Sequence, residues 1–132
     1  MAIRALVVDD NVINLKLAAN ILLSEGFEVM KAERAESALE LIKSSPPQVI
    51  LMDVSLPGMD GLTLTKMLKE NEATKHICII ALTAFAMKGD DEKAYAAGCD
   101  GYIPKPIDTR KLTSQIEEVL LRMNQSKPTT PQ

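Results

Sequence analysis

Three short, almost entirely apolar runs rich in β-branched residues constrain what this chain can fold into. They are Ile3–Val8, Gln48–Met52 and Ile77–Leu82, and weaker runs occur at Phe27–Lys31 and Gly101–Ile103. The strong runs do not alternate between apolar and polar residues, so both faces of each strand must be covered. Such strands are typical of a parallel sheet, which needs long, usually helical, crossovers between its strands.

Amphipathic helical patterns separate these runs. The segment Met87–Ala97 also has a helical composition, but most of its apolar residues are alanines, so we expect a weakly anchored helix there. Strand and helix thus alternate five times, and right-handed crossovers predict an α/β fold: a doubly wound five-stranded parallel sheet with helices on both faces. The apolar stripes of the other four helices are built from Leu15, Ala18, Ala19 and Leu22, from Ala35, Ala38, Leu39 and Ile42, from Leu64, Met67 and Leu68, and from Leu112, Ile116, Val119, Leu120 and Met123.

Length and composition predict one globular domain with a short tail. The 132 residues are close to the modal domain size, and we expect residues 1–123 to form the domain and residues 124–132 to be a disordered polar tail. The net charge of −3 and the aromatic content of 3% argue against nucleic-acid binding. We find no stretch apolar enough for a membrane span and no secretory signal, so we expect a cytoplasmic protein with reduced cysteines.

Five side chains with reactive or charged groups follow the ends of predicted strands. Asp9 and Asp10 follow the first strand, Asp53 the third, Thr83 the fourth and Lys105 the fifth. Because the carboxyl ends of parallel strands share one edge of the sheet, we expect these side chains to meet there. Crowded carboxylates repel one another, and a cation that prefers oxygen ligands relieves that repulsion. The set predicts a Mg²⁺ site, with Mn²⁺ as a substitute, for phosphoryl transfer onto a carboxylate.

Each of these residues has a plainer interpretation when it is taken alone. An Asp–Asp pair after a strand commonly caps a helix or lies in a solvated loop, and Asp53 precedes a Pro–Gly turn. Thr83 can cap a turn, and Lys105 can be a surface lysine. Their joint placement at the ends of four strands favours a common site.

Four stretches of the chain resemble the response-regulator receiver family. They are VVDDN (Val7–Asn11), ILMDVSLPGMDG (Ile50–Gly61), ALTA (Ala81–Ala84) and GYIPKP (Gly101–Pro106). The resemblance covers nearly the whole chain. Two further stretches, TAFAMKGD (Thr83–Asp90) and NVINLKL (Asn11–Leu17), resemble stand-alone cell-division receivers of the DivK type and receivers of hybrid histidine kinases. It implies a flavodoxin-like strand order of 2-1-3-4-5.

The resemblance assigns roles to the residues at the strand ends. Asp53 matches the aspartate that the family phosphorylates. Asp10 matches the carboxylate that binds Mg²⁺ directly, and Asp9 matches one that acts partly through water. The backbone carbonyl of Ser55 matches the position that completes the metal site, and Lys105 matches the phosphate-binding lysine.

Three further residues match the switch of the family. Thr83 matches the hydroxyl that responds to the phosphoryl group, and Tyr102 matches an aromatic residue that changes rotamer on activation. Pro106 follows Lys105 in a peptide bond that is cis in the family. The fourth helix, the fifth strand and the last helix are expected to form the face that a downstream protein recognises.

The expected function is signalling rather than enzymatic turnover of a substrate. The resemblance implies that a histidine kinase or a histidine phosphotransfer protein donates the phosphoryl group, and that the domain itself catalyses its acquisition and slow hydrolysis. Since few residues follow the last helix, we expect the receiver to act by protein–protein contact, unless it is excised from a larger protein such as a hybrid kinase.

Two other functions stay open at this point. An aspartyl-phosphate phosphohydrolase uses the same nucleophile, but it usually has a second aspartate two residues later, where this chain has Ser55. A flavodoxin-like or nucleotide-binding protein needs a phosphate-binding loop after the first strand, where Asp9 and Asp10 would repel a phosphate. The response to a small phosphodonor, with and without Mg²⁺, together with a nucleotide- or flavin-binding assay, discriminates among the three.

Overall fold

Strands and helices alternate along the chain as the sequence predicts. The computed structural model describes residues 3–54, 58–83 and 90–126. None of the helices in these ranges is long and apolar enough to cross a membrane. In chain order the elements are β1 (Arg4–Val8), α1 (Val12–Ser24), β2 (Glu28–Ala32), α2 (Ala35–Ser44), β3 (Val49–Asp53), α3 (Gly61–Glu70), β4 (Cys78–Thr83), α4 (Asp90–Ala97), β5 (Gly101–Pro104) and α5 (Leu112–Ser126).

The five strands form one parallel sheet in the order β2-β1-β3-β4-β5. This confirms both the doubly wound architecture and the expected strand order. Every residue of β3 and β4 is buried, and in β1 only Arg4 is exposed, because helices cover both faces of these central strands. The order reverses between β1 and β3, which opens a crevice at their carboxyl ends.

The sheet separates two apolar cores. Successive residues of a strand point to opposite faces, so Leu6 and Ile50 lie in one core while Val7 and Leu51 lie in the other. The helices α2, α3 and α4 cover the first core, and α1 and α5 cover the second. Residues near the carboxyl ends of the strands belong to both cores, Val8 and Met52 to the first and Leu82 to the second. The side chains that follow these strand ends are therefore attached to buried, packed backbone.

The first helix begins directly after the acidic pair. Asn11 is its N-cap, and the side-chain oxygen accepts hydrogen bonds from the backbone N–H groups of Ile13 and Asn14 at 3.0 and 3.1 Å. These bonds satisfy two N–H groups that would otherwise lack partners at the start of the helix. The cap therefore determines where the chain turns after Asp10.

Two helix boundaries bear on the sequence predictions. The helix α4 is observed from Asp90 to Ala97, and residues 87–89, the first part of the expected helix, lie outside the described residues. The helix α5 continues to Ser126, three residues beyond the domain boundary expected at Met123. Residues 124–126 are polar but contain no helix breaker before Pro128, so the helical hydrogen bonds can continue. Disorder of residues 127–132 stays a prediction.

Candidate functional site

The carboxyl edge of the sheet brings three carboxylates together. Asp9 and Asp10 follow β1, and Asp53 is the last residue of β3. One carboxylate oxygen from each lies within 4.8 Å of the other two. Asp9 and Asp53 are buried, with 1% and 3% of their surface exposed, while Asp10 is exposed. The cluster predicted from the strand ends is therefore present in the fold.

Lys105 places its ammonium group between the two buried carboxylates. Its Nζ lies 2.9 Å from Oδ2 of Asp9 and 3.3 Å from Oδ2 of Asp53. Burial by itself would lower the pKa of Lys105, but the hydrogen bonds and negative charges of Asp9 and Asp53 outweigh it and raise the pKa above its usual value. The side chain therefore carries its positive charge throughout the neutral pH range.

Asp9 and Asp10 differ in how their oxygens are engaged. Oδ1 of Asp9 accepts a hydrogen bond from the backbone N–H of Asn11 at 2.9 Å, and Oδ2 faces Lys105. The backbone N–H of Asp9 donates to the carbonyl of Ala32 on β2 at 3.1 Å. Asp10 has no hydrogen-bond or ion-pair partner within residues 3–54, 58–83 and 90–126. Asp9 is thus oriented by the protein, whereas Asp10 has oxygens available for a ligand.

Backbone hydrogen bonds hold β4 and the segment after β5 beside Asp53. The N–H of Val54 donates to the carbonyl of Leu82 at 3.1 Å, and the N–H of Lys105 donates to the carbonyl of Thr83 at 2.7 Å. Thr83 is buried at the end of β4. The chain positions Thr83 and Lys105 together, next to the strand that ends in Asp53.

Two predicted switch residues, Tyr102 and Pro106, lie within the described part of the chain, and the predicted metal-site residue Ser55 does not. Tyr102 is half-buried on β5 and packs against the core that α2, α3 and α4 cover. The peptide bond between Lys105 and Pro106 is cis, as expected. Ser55 lies outside the described residues, so the role of its carbonyl stays a prediction.

Sequence reasoning assigned no role to Gly61, the first residue of α3. A Cβ atom at this position would overlap the carbonyl oxygen of Asp53 and lie 2.9 Å from Cγ of Met52. Asp60, the N-cap of α3, accepts a hydrogen bond from the N–H of Thr63 at 2.8 Å. Glycine therefore allows the start of α3 to pack directly against the end of β3. An Asp–Gly pair at a helix start was the available signal, but it is common in ordinary turns.

The donor set fits a hard divalent cation. The three clustered groups are carboxylates, and oxygen ligands suit Mg²⁺, which commonly takes one or two carboxylates and keeps several waters. Softer ligands do not join this cluster in the part of the chain that the structure describes. His76 is exposed before β4, at the other end of the sheet, and Cys78 and Cys99 are buried free thiols.

Comparisons with known proteins agree with this geometry. Residues 5–117 match the sequence model of the response regulator receiver domain family. The polar-differentiation response regulator DivK from Brucella ovis is 41% identical over 115 residues, which are 87% of this chain and 94% of that protein. The protein of the same name from Brucella anthropi is 40% identical over the same length.

Solved structures show the same fold. A CheY-like receiver domain protein from Methanospirillum hungatei superimposes with a TM-score of 0.85 at 30% identity, over 95% of this chain and 98% of that one. The chemotaxis response regulator CheY4 from Vibrio cholerae gives a TM-score of 0.85 at 25% identity, over 90% and 99% of the two chains. These matches favour a receiver over a phosphohydrolase or a nucleotide-binding protein.

Proposed function

Because this chain belongs to the response regulator receiver family, whose members signal in two-component systems, we propose that Asp53 accepts a phosphoryl group. The observation that carries this proposal is the position of Asp53, buried at the end of β3 among two further carboxylates and the ammonium group of Lys105. The phosphodonor is a histidine kinase or a histidine phosphotransfer protein. The chain itself is cytoplasmic on this proposal.

The transfer step requires a carboxylate nucleophile and charge neutralisation. An oxygen of Asp53 attacks the phosphorus of a phosphohistidine, the new O–P bond forms, and the P–N bond of the donor breaks. The imidazole leaves with the electron pair of that bond and takes up a proton from solvent. Lys105 already lies 3.3 Å from Oδ2 of Asp53, so its ammonium is placed to contact a phosphoryl oxygen. Hydrolysis of the acyl phosphate transfers the phosphoryl group to water, which releases inorganic phosphate and returns Asp53 to its carboxylate form.

Asp9, Asp10 and Asp53, with the carbonyl of Ser55, would hold the Mg²⁺ ion, and Mn²⁺ can replace it. The bound ion supplies positive charge that offsets the negative charge of the phosphoryl oxygens. Asp10 binds the ion directly on this proposal, as do Asp53 and the carbonyl of Ser55. The oxygens of Asp10 have no partner among the described residues. Asp9 orients the site, because Asn11 and Lys105 already engage its two oxygens.

The output of the domain is a change at the face formed by α4, β5 and α5. The hydroxyl of Thr83 donates a hydrogen bond to a phosphoryl oxygen on Asp53, and Tyr102 then turns inward. Phosphorylation thereby biases an existing equilibrium, and a downstream protein recognises the shifted face. Residues 1–123 carry this activity on our proposal.

The central test is phosphorylation of the Asp53→Asn variant by a small phosphodonor, with and without Mg²⁺. Intact-protein mass spectrometry should show one phosphoryl group on the wild-type protein only when Mg²⁺ is present, and none on the variant. Asp108→Asn, a change at a carboxylate before α5 and outside the acidic cluster, is the matched control and should be phosphorylated like the wild type. Phosphorylation of Asp53→Asn at the normal rate would remove Asp53 from this role.

The switch is tested separately with Thr83→Ala. This variant should still be phosphorylated on Asp53, but the NMR shifts of Tyr102 and of α4 amides should change little on phosphorylation. Shift changes as large as those of the wild type would show that Thr83 does not couple the site to the output face.

A further inference from the structure

A second largely buried lysine lies at the opposite end of the sheet. The Nζ of Lys69, in the last turn of α3, donates to Oδ2 of Asp100 at 2.8 Å and to the carbonyls of Ile77 and Lys75 at 2.7 and 3.1 Å. The side chains of Lys69 and Asp100 are 18% and 22% exposed. Three acceptors therefore satisfy the three hydrogen-bond donors of this ammonium group.

Asp100 extends this network to β4. Its Oδ2 also accepts a hydrogen bond from the backbone N–H of Ile79 at 2.9 Å, and its own N–H donates to the carbonyl of Ile79 at 2.7 Å. Asp100 lies in the short turn between α4 and β5. The ion pair with Lys69 thus joins α3, β4 and this turn at one point.

The rest of the turn also packs on α3. Gly98 has a φ of +110°, and a Cβ atom there would lie 2.8 Å from Cγ of Lys69. The Sγ of Cys99 lies 3.9 Å from the Oγ1 of Thr65 on α3. We call Thr65, Lys69, Gly98, Cys99 and Asp100 the α3 clamp. It holds the C-terminal end of α4 and the start of β5.

The described side chains of α4 provide little apolar packing along the body of the helix. Among its described side chains, residues 92–97, only Ala94 is buried, and Tyr95 is 46% exposed. Burial of one alanine provides little apolar contact area to resist displacement of the helix. The helix therefore has a C-terminal end that the α3 clamp holds and few apolar contacts among its described side chains.

We propose that the α3 clamp is the pivot of the output switch, with Lys69 as the residue that positions it. On this proposal the change that follows phosphorylation moves α4 about its C-terminal end and leaves Gly98, Cys99 and Asp100 in place. The proposal rests on the proposed role of α4 in the output face. Lys69 does not contact the acidic cluster, since its partners precede β4 or β5, whereas Asp53 lies at the carboxyl end of β3.

Two buried thiols report separately on the clamp and on the sheet. Burial raises the pKa of Cys99, within the clamp, to about 11, and burial raises the pKa of Cys78, on β4, to about 12. Neither thiol reacts readily at neutral pH, because the thiolate is scarce and the sulfur is covered. Faster alkylation of one of them therefore indicates local opening around that residue.

The first experiment compares alkylation by iodoacetamide in the wild type, Lys69→Met and Lys75→Met, with each cysteine quantified by peptide mass spectrometry. Lys75 pairs with Glu72 at 2.9 Å in an exposed ion pair, so Lys75→Met is a matched control. We expect alkylation of Cys99 to be faster by about tenfold in Lys69→Met, with Cys78 unchanged, and neither to change in Lys75→Met. Lys69→Arg should restore slow alkylation of Cys99.

Two outcomes of this experiment would overturn the proposal. Slow alkylation of Cys99 in Lys69→Met would show that the lysine does not hold the turn. Equal acceleration of Cys78 and Cys99 would show a general loss of stability instead of local opening. Should Lys69→Met not fold, Asp100→Asn removes the ion pair with less change of shape, and the same expectations apply.

The second experiment adds the phosphoryl group. In the phosphorylated wild type, hydrogen exchange should change in α4 amides, while alkylation of Cys99 stays as slow as before. Faster alkylation of Cys99 on phosphorylation would contradict a fixed pivot. In Lys69→Met, the amount of phosphorylated protein should equal that of the wild type, but the change in α4 exchange should be smaller. Absence of phosphorylation in both proteins would contradict the proposed function alone, because the alkylation comparison needs no phosphoryl group.

Discussion

Lys105 and Lys69 lie at opposite ends of the sheet, and their ammonium groups face different charge balances. Lys105 lies among the three clustered carboxylates, so within the described part of the chain one cation faces three anions. Lys69 faces a single carboxylate, Asp100, and two backbone carbonyls that complete its hydrogen bonds. Both side chains are largely buried, with 13% and 18% of their surface exposed.

This difference distinguishes a functional site at Lys105 from a structural contact at Lys69. A buried ion pair is weak evidence for stability, because desolvation offsets much of the attraction between its charges. At Lys69 the charges balance and every donor is satisfied, so the arrangement is complete as it stands. At Lys105 three carboxylates face one ammonium group, and this excess of negative charge is unfavourable until a cation binds. Such imbalance is typical of functional sites.

The largest expected effect is the loss of unfolding free energy when each lysine is replaced by methionine. Lys105→Met leaves the buried Asp9 and Asp53 without a counter-charge and should lower the free energy of unfolding by about 3 kcal/mol. Lys69→Met leaves Asp100 with the N–H of Ile79 and should cost only about 1–2 kcal/mol. Urea unfolding measures both values. When variant and wild type are compared in the same Mg²⁺ concentration, the difference in unfolding free energy should become smaller for Lys105→Met and stay the same for Lys69→Met. An equal change for both variants would contradict the comparison.

The next effect concerns metal affinity. Asp10→Asn removes the carboxylate with unengaged oxygens and should weaken Mg²⁺ binding by about tenfold or more. Asp100→Asn, at the other end of the sheet, should leave the affinity unchanged. Isothermal titration calorimetry with Mg²⁺ and with Mn²⁺ gives both constants. Undiminished binding by Asp10→Asn would place the metal elsewhere.

A smaller effect of the opposite sign is expected without metal. Asp10→Asn removes one of three crowded negative charges, so the metal-free variant should be more stable than the wild type by about 0.5–1 kcal/mol. Asp100→Asn should be less stable than the wild type, because its negative charge is already balanced. Thermal unfolding in the presence of a chelator checks the sign of both changes, and a destabilised Asp10→Asn would argue against net repulsion at the site.

Effects of comparable size appear at high pH and differ between the two ends of the sheet. The pKa of the Cys99 thiol is raised to about 11 in the fold, so its contribution to stability is complete below its unfolded value of 9.0 and declines as the pH rises toward 11. The pKa of Lys105 is also raised, but its contribution is retained up to its unfolded value of 10.5 and is lost only above that. Between pH 9 and 10, the free energy of unfolding should therefore fall by about 1 kcal/mol less in Cys99→Ala than in the wild type, as measured by urea unfolding. Asp9→Asn should leave the slope in this interval unchanged.

The acidic site could be predicted because its geometry follows from strand direction. Asp9, Asp53 and Lys105 are far apart along the chain, but each follows a strand whose apolar pattern is readable, and parallel strands end at one edge. The N-cap at Asn11 is also a local feature, since its hydrogen bonds involve only the next few residues. Where periodicity and local hydrogen bonding determine a feature, the chain itself contains enough information.

The clamp could not be predicted in this way. Lys69 and Asp100 are 31 positions apart, and neither belongs to an apolar pattern or a strand end that would bring them together. Their contact depends on how α3 packs against the turn before β5. That packing is close enough that a Cβ atom at Gly98 would overlap the side chain of Lys69. The same holds for Gly61, whose contact with the carbonyl of Asp53 depends on the approach of α3 to β3.

The sequence by itself determined the alternation of strands and helices, the parallel sheet and the side chains that meet at its carboxyl edge. Burial on both faces selects the strands, and chain direction places their ends together. Only the tertiary structure decided that both oxygens of Asp9 have partners while those of Asp10 have none among the described residues. It also decided that Lys69 forms an ion pair with Asp100 at the opposite end of the sheet. Those outcomes depend on packing distances of a few tenths of an ångström between elements, and no periodic pattern in a sequence encodes such distances.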